Sequence, residues 1–198
     1  MSQSVPYVLN CVTPPAGAVI TIADLQTVLR VADPTEAGFL FDQIIAATEL
    51  VQGNTGKQLL LATYEMSLTG FPAGEIEIPN PPLQSVVSIK YDDDQGAEQT
   101  LSPSLYSVNL GSTRRRGSII PADGCSWPTA RCHNRSVHIR FTCGWPNAAA
   151  VPRALVQQVR LLAVHWFRNR SAVSCGSMSR SELAFDVLQQ FNEIKEFV

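Results

Sequence analysis

The sequence is short of the residues and runs that announce a catalyst or a membrane protein. It has only three histidines, His133, His138 and His165, and none sits in a frame that pairs a nucleophile with a base. There is no Gly-x-Ser-x-Gly elbow, no Walker-type phosphate loop, no His-Glu-x-x-His and no Gly-x-Gly-x-x-Gly after a strand. No segment approaches about 18 uninterrupted apolar residues, and Met1 to Thr13 carries no basic region ahead of an apolar stretch, so neither a spanning helix nor a secretory leader is expected. Charge of one sign is lacking too: 15 basic side chains face 17 acidic ones, a net charge of -2. No global field therefore recruits nucleic acid or an anionic membrane, and any such contact is a local patch. Five cysteines, Cys11, Cys125, Cys132, Cys143 and Cys175, are odd in number and irregular in spacing, which suits reduced thiols in a cytoplasm better than a disulfide framework. What is abundant is apolar content, 45% of 198 residues, enough for a real core.

The first dozen residues, through Thr13-Pro14-Pro15-Ala16-Gly17, read as an extended arm, because proline denies them a helix. Thr21 and Asp24 resemble a capping box opening a short helix to about Val31. Asp33-Pro34-Thr35-Glu36 places Asp as N-cap and Pro at the first position of a second helix. Its buried stripe is Ala37, Leu40, Phe41, Ile44, Ile45, Thr48 and Val51, until Gly53 and Gly56 stop it. The period then changes to two. Strands are predicted from Leu60 to Thr69, at Glu75 to Ile78, from Val86 to Tyr91, around Gln99 to Leu101, Tyr106 to Asn109 and Ser118 to Ile120, and finally from Val137 to Cys143, as an antiparallel meander. Asp92-Asp93-Asp94-Gln95-Gly96 is its hairpin turn. Helix returns at Val151-Pro152 and runs to about Arg170. After a small-residue break from Ser171 to Ser181, Leu183, Val187, Leu188, Phe191 and Ile194 share one face of a last amphipathic segment.

The order predicts an α+β fold: a helical bundle formed by N- and C-terminal helices with an inserted antiparallel β-sheet region, plus a C-terminal amphipathic helix. Residues 1–19 are the extended N-terminal arm. Residues 20–170 form the main domain, with helices at 21–56 and 152–170 and the β insertion at 59–145, and 171–198 are the flexible break and C-terminal helix.

Cys125, Cys132, His133, His138 and Cys143 are the best set for a metal, since thiolates and imidazoles make tetrahedral zinc sites. Their spacing lacks the close ligand pairs of structural zinc, so no metal is expected, and no cofactor either. His165 beside Trp166 reads as an ordinary helical histidine. Asp92 to Asp94 lack the alternating spacing and distal glutamate of a calcium loop. Arg114-Arg115-Arg116, with Arg131, Arg135 and Arg140 further on, is the one concentration of positive charge. It lacks the aromatic interleaving of a base-stacking surface, which leaves phosphate-backbone contact, an Arg-rich protein contact and a solvated hairpin tip as its readings.

The ends ask for a partner: an apolar-faced helix behind a mobile break either folds back or lays its stripe into another protein's groove. Several stretches, in order, resemble the head-tail connector (adaptor) proteins of long-tailed bacteriophages and gene transfer agents. They are Ile22 to Ala32, Asp33-Pro34 with the helix to Gly56, Leu61 to Leu68, Ile76-Glu77-Ile78-Pro79 with Pro82 to Tyr91, Trp127-Pro128, Phe141-Thr142-Cys143-Gly144-Trp145, Val151 to Leu155 and Trp166 to Arg170. The resemblance is collinear over about Ile20 to Arg170. It implies a non-enzymatic structural protein of the virion neck, assembled in the bacterial cytoplasm. The expected form is a homo-oligomeric ring of about twelve copies between the portal protein and a tail-side stopper or terminator protein, through which double-stranded DNA passes. It also implies portal docking through the C-terminal segment, with Leu183, Val187, Leu188, Phe191 and Ile194 as interface, and a channel or inter-subunit place for Arg114, Arg115 and Arg116. The alternatives are another neck or tail-completion protein, a small nucleic-acid-binding factor using the Arg114 to Arg116 loop, and an enzyme with an unfamiliar site around Cys125, Cys132 and His133.

Overall fold

Local capping chemistry sets the helices, and alternation sets the strands. The structure, a computed structural model, describes residues 6–31, 33–131, 133 and 135–169. The chain divides into two units, one from Met1–Ala16 with Leu61–Gly144, the other from Gly17–Leu60 with Trp145–Val198.

In the helical unit, α1 (Ile22–Leu29) begins at Thr21. The Thr21 hydroxyl oxygen accepts from the Asp24 N–H at 3.1 Å, and the Asp24 carboxylate accepts from the Thr21 N–H at 3.0 Å. This reciprocal box satisfies donors that a helix start leaves open. Its hydrogen bonds, that from the Thr21 backbone first, hold the Asp24 carboxyl below its ordinary range. Arg30, left-handed at φ 57°, ends the helix. Asp33 does not cap an α-helix directly. Its Oδ1 accepts from the Thr35 N–H and hydroxyl at 2.9 and 2.7 Å, making a single 3-10 turn over Pro34–Glu36, and α2 follows as Ala37–Thr55. Gly53 lies inside α2, and Gly56, at φ 61°, is the stop. The third helix, α3, spans Arg153–Arg168 after Pro152.

One core fills this unit: Leu25 of α1, Leu40, Ile44, Ala47 and Val51 of α2, and Leu155, Val159, Leu162, Ala163 and Phe167 of α3. The Phe39 and Phe167 rings meet at 5.9 Å. Phe41 and Ile45, expected in the buried stripe, are 46% and 36% exposed. The apolar arc of α2 is wider than the surface that α1 and α3 cover, and these two residues lie on its uncovered flank.

Among its described residues the β unit has eight strands: β1 (Tyr7–Thr13), β2 (Ala62–Leu68), β3 (Ile76–Ile78), β4 (Leu83–Asp92), β5 (Glu98–Thr100), β6 (Tyr106–Asn109), β7 (Gly117–Pro121) and β8 (Val137–Cys143). They form two antiparallel sheets, ordered β1-β2-β8-β4-β5 and β3-β7-β6. In the larger sheet Tyr64 stands opposite Phe141, which stands opposite Val86, and Met66, Ile139 and Ile89 form the next such row. Alternation sends these residues to one face, where they pack with Ile78, Leu101 and Ile119 into a second core.

These observations correct the expected architecture. The helices do not form an organising bundle into which a sheet is inserted. Among the described residues there are three α-helices against eight strands in two sheets, and within the stretch expected as an extended arm Tyr7–Thr13 forms β1, paired with β2. The meander is also overturned, because β8 lies between β2 and β4. A strand so placed pairs on both edges, which explains why Val137, Ile139, Phe141 and Cys143 are all fully buried. The C-terminal amphipathic helix falls outside the described residues.

Candidate functional site

The outer face of the larger sheet carries a cluster of charged side chains. Residues opposite one another in register share a face, so Glu65 of β2 meets Arg140 of β8, and His138 of β8 lies between Ser67 of β2 and Lys90 of β4. Arg140 donates to Glu65 at 2.9 Å, His138 Nδ1 stands 3.7 Å from the same carboxylate and 3.3 Å from the Ser67 hydroxyl, and Lys90 reaches Glu98 of β5 at 2.7 Å. Glu65, Ser88, Lys90, Glu98, His138 and Arg140 line a depression of about 230 Å³. The Lys90 ammonium, by hydrogen bond first and charge second, holds the Glu98 carboxyl low. Acid and base here neutralise each other on a face that water reaches. Serine and glutamate approach the same ring nitrogen of His138, so the three do not form a relay in which one group orients the base and another is activated. Such exposed pairs hold register and solubility.

Arg114, Arg115 and Arg116 lie on the connection between β6 and β7 and are exposed. Gly111 at φ 68°, the Ser112 N–H bonded to the Arg115 carbonyl at 3.0 Å, and the Ser112 hydroxyl oxygen accepting from the Arg114 and Arg115 N–H groups fold this tip tightly. Arg116 reaches Glu77 of β3 at 3.4 Å. Arg114 and Arg115 form no ion pair among the described residues, so two guanidinium groups stand free at one hairpin end. Arg131 lies elsewhere, its N–H bonded to the Asp92 carbonyl and its guanidinium against Gly96. Arg140 belongs to the charged face.

The proposed metal ligands do not converge. His138 and Cys143 are five residues apart on one strand, so alternation points them to opposite faces, the imidazole outward and the thiol into the core. Cys125 is exposed in the loop before β8. His133 sits in that loop, its N–H bonded to Ser136, and Cys132 lies outside the described residues. No group of three metal-ligating side chains assembles among the described residues. Asp93 is occupied by its own turn, accepting from the Gln95 and Ala97 N–H groups and from the Gln99 side chain. His165 is in the last turn of α3, beside Asn169. Leu183, Val187, Leu188, Phe191 and Ile194 lie outside the described residues.

Trp127 closes the long loop onto the sheet. Its ring stacks on Phe71 at 5.1 Å and its indole N–H donates to the Gly74 carbonyl at 2.8 Å, while Phe71 meets Tyr91 edge-on at 5.6 Å.

Burial separates the thiols. It pushes Cys143 up to about 12, with Cys11 nearby adding to the shift, and it does the same to Tyr64. A thiol reagent at neutral pH should therefore modify Cys11 and Cys125 and leave Cys143 intact until the chain unfolds, as read by peptide mass spectrometry. Modification of Cys143 at the rate of Cys11 would contradict the buried inner face. A raised acid binds its proton more tightly when folded. These two groups thus stabilise the fold fully below their ordinary values of 9.0 and 10.0, and that contribution is lost as pH climbs toward about 12. The urea midpoint should fall across this window.

The fold defined by these elements is one found in particle necks. Chains with the same fold occur in the neck of an empty gene transfer agent (GTA) particle computed with C6 symmetry (TM-score 0.75), in the virion of a native gene transfer agent particle (0.74), and in the neck of a native GTA particle computed with C12 symmetry (0.71). Each is 24% identical to this chain, and each alignment covers 93% of this chain and 94% of the other. No family model matches the chain, and no curated protein matches it. The resemblance seen in the sequence thus has its structural counterpart at the level of the fold. No helix among the described residues is long and apolar enough to cross a membrane.

Proposed function

We propose that this chain is a non-enzymatic subunit of the neck of a phage or gene transfer agent particle, closing into a ring of about twelve copies between portal and tail. The observation that carries this reading is the likeness over 93% of the chain to chains in neck and virion structures. The C6 and C12 symmetry of two of those structures supports a ring. The chemistry of the described surface agrees: the charged face is mutually neutralised, and the free arginines form a small hairpin tip instead of a broad basic band. A channel passes DNA without gripping it, so Arg114 and Arg115 suit either the lumen or a neighbouring copy. The segment with Leu183, Val187, Leu188, Phe191 and Ile194 is assigned to the portal.

The test is the mass of the purified protein, alone and with a portal, by light scattering. A closed ring that binds the portal is expected, and deleting the chain after Ser179 should abolish portal binding while leaving the β unit folded. Unchanged binding removes the C-terminal assignment. A monomer that ignores the portal and binds DNA with a steep salt dependence removes the neck reading in favour of a nucleic-acid-binding factor.

A further inference from the structure

The four sheet edges of the β unit are not alike. β5 and β3 are three residues each and carry charge, Glu98 paired to Lys90 and Glu77 paired to Arg116. Short length and charge are the devices by which a sheet edge avoids joining another chain. The other two edges carry no charge. β1 is seven residues long and contains neither a charged residue nor proline; indeed the first charged side chain of the sequence is Asp24. Tyr7, Val8 and Val12 are 46%, 40% and 45% exposed. β6 with its flanks, Leu105 to Leu110, is equally free of charge, and Leu105, Val108 and Leu110 are 41%, 37% and 49% exposed. Among the described residues each of these strands pairs on one side only, β1 with β2 and β6 with β7, which leaves its other edge open to a further strand.

A closed ring of identical chains needs two different, mutually complementary surfaces on every copy. We propose that the free edge of β1 in one copy pairs with the free edge of β6 in the next, adding strand to strand around the ring. This rests on the neck reading and names the surface through which the ring closes. A register shift between Cys11 and Thr13 ends regular pairing there, which leaves Tyr7 to Cys11 as the run available to the four residues of β6. Main-chain hydrogen bonds supply the join, and the exposed valines and leucines flanking both edges lose water as it forms. No acidic group lies on either edge, so the join meets no charge that must be stripped of water.

The experiment uses full-length protein carrying Val8→Lys on β1, Val108→Lys on β6, or Gln99→Lys on the β5 edge, under conditions where the wild type forms its ring. Masses are read by native mass spectrometry, and circular dichroism checks the fold. Val8→Lys and Val108→Lys should each reduce the ring population at least tenfold, while Gln99→Lys leaves it unchanged. Mixing the two defective variants should give one-to-one pairs that do not grow, because each retains the edge that the other has lost. If either variant fails to fold, Tyr7→Lys or Ser107→Lys replaces it within the same paired run. Rings that persist in both variants overturn the pairing and leave the neck reading standing. Loss with Val8→Lys alone also overturns it, since β1 then joins some other surface, the β2 edge of a neighbour included. A wild type that forms no ring, with or without portal, overturns the neck reading itself.

Discussion

Phe141→Ala is expected to lower the stability of the chain by about 3–5 kcal/mol, read as a fall in the urea midpoint with the slope unchanged. Phe141 is fully buried at the centre of β8. In register it has Tyr64 on one side and Val86 on the other, and its ring lies 6.1 Å from that of Tyr64 at an interplanar angle of 23°. Because β8 is paired along both edges, its neighbours are held by main-chain bonds and cannot close over the space a phenyl ring leaves. The cavity therefore persists, and its penalty adds to the lost transfer energy. A small protein is stable by only about 5–15 kcal/mol, so this one change removes a large share. The adjacent residue is the control. Arg140→Ala lies on the opposite face, breaks an exposed pair with Glu65, and should alter stability by about 1 kcal/mol or less. Equal losses from the two variants would mean that β8 does not separate a dry face from a wet one.

The elements legible in the sequence are those whose causes are local. Thr21 with Asp24 marks the start of α1 because the capping bonds span three residues. The alternation of Val137, Ile139, Phe141 and Cys143 announces β8 for the same reason. The arrangement of strands was not legible, because it is decided by pairings between distant segments. β1 meets β2 fifty or more residues on, and its uncharged side chains, mostly exposed, show no alternation of apolar with polar. The proline pair after Thr13 argued for extended chain without saying what it pairs with; the strand ends just before it. Glu65 meets Arg140 across 75 residues, so the charged face becomes visible only once register is known. Alternation of Glu65 and Ser67 with Tyr64 and Met66 was the available signal, and it identifies an outward side without saying what stands beside it. The candidate Cys and His set, from which no metal site was expected, shows the same ground in reverse: His138 and Cys143 are near in sequence and on opposite faces in space. Phe41 and Ile45 show the limit of helical periodicity, which locates an apolar arc but not how much of it the neighbouring helices cover.

Gly111→Ala is the second large expected effect, and it bears on the arginine tip. Gly111 sits at φ 68°, and a methyl group there would lie 2.5 Å from the Arg116 carbonyl oxygen and 2.6 Å from that of Arg115. The left-handed backbone alone costs an alanine about 1–2 kcal/mol, and the collision is with main chain, which cannot swing aside as a side-chain end can. The hairpin between β6 and β7 must therefore open. Opening breaks the bond from the Ser112 N–H to the Arg115 carbonyl and those from the Arg114 and Arg115 N–H groups to the Ser112 hydroxyl. A loss of at least about 2 kcal/mol is expected, with amide chemical-shift changes concentrated between Asn109 and Gly117. Gly74→Ala provides the comparison, since a methyl group there meets nothing within 4 Å, and it should be close to neutral. Arg114→Ala and Arg115→Ala should also leave stability unchanged, because neither side chain is engaged within the described residues. Stability unaffected by Gly111→Ala would show that the tip is not folded as described. A loss from Gly111→Ala alone separates the two parts of the loop: glycine and serine hold its shape, and the free guanidinium groups are left to whatever passes or docks beside them.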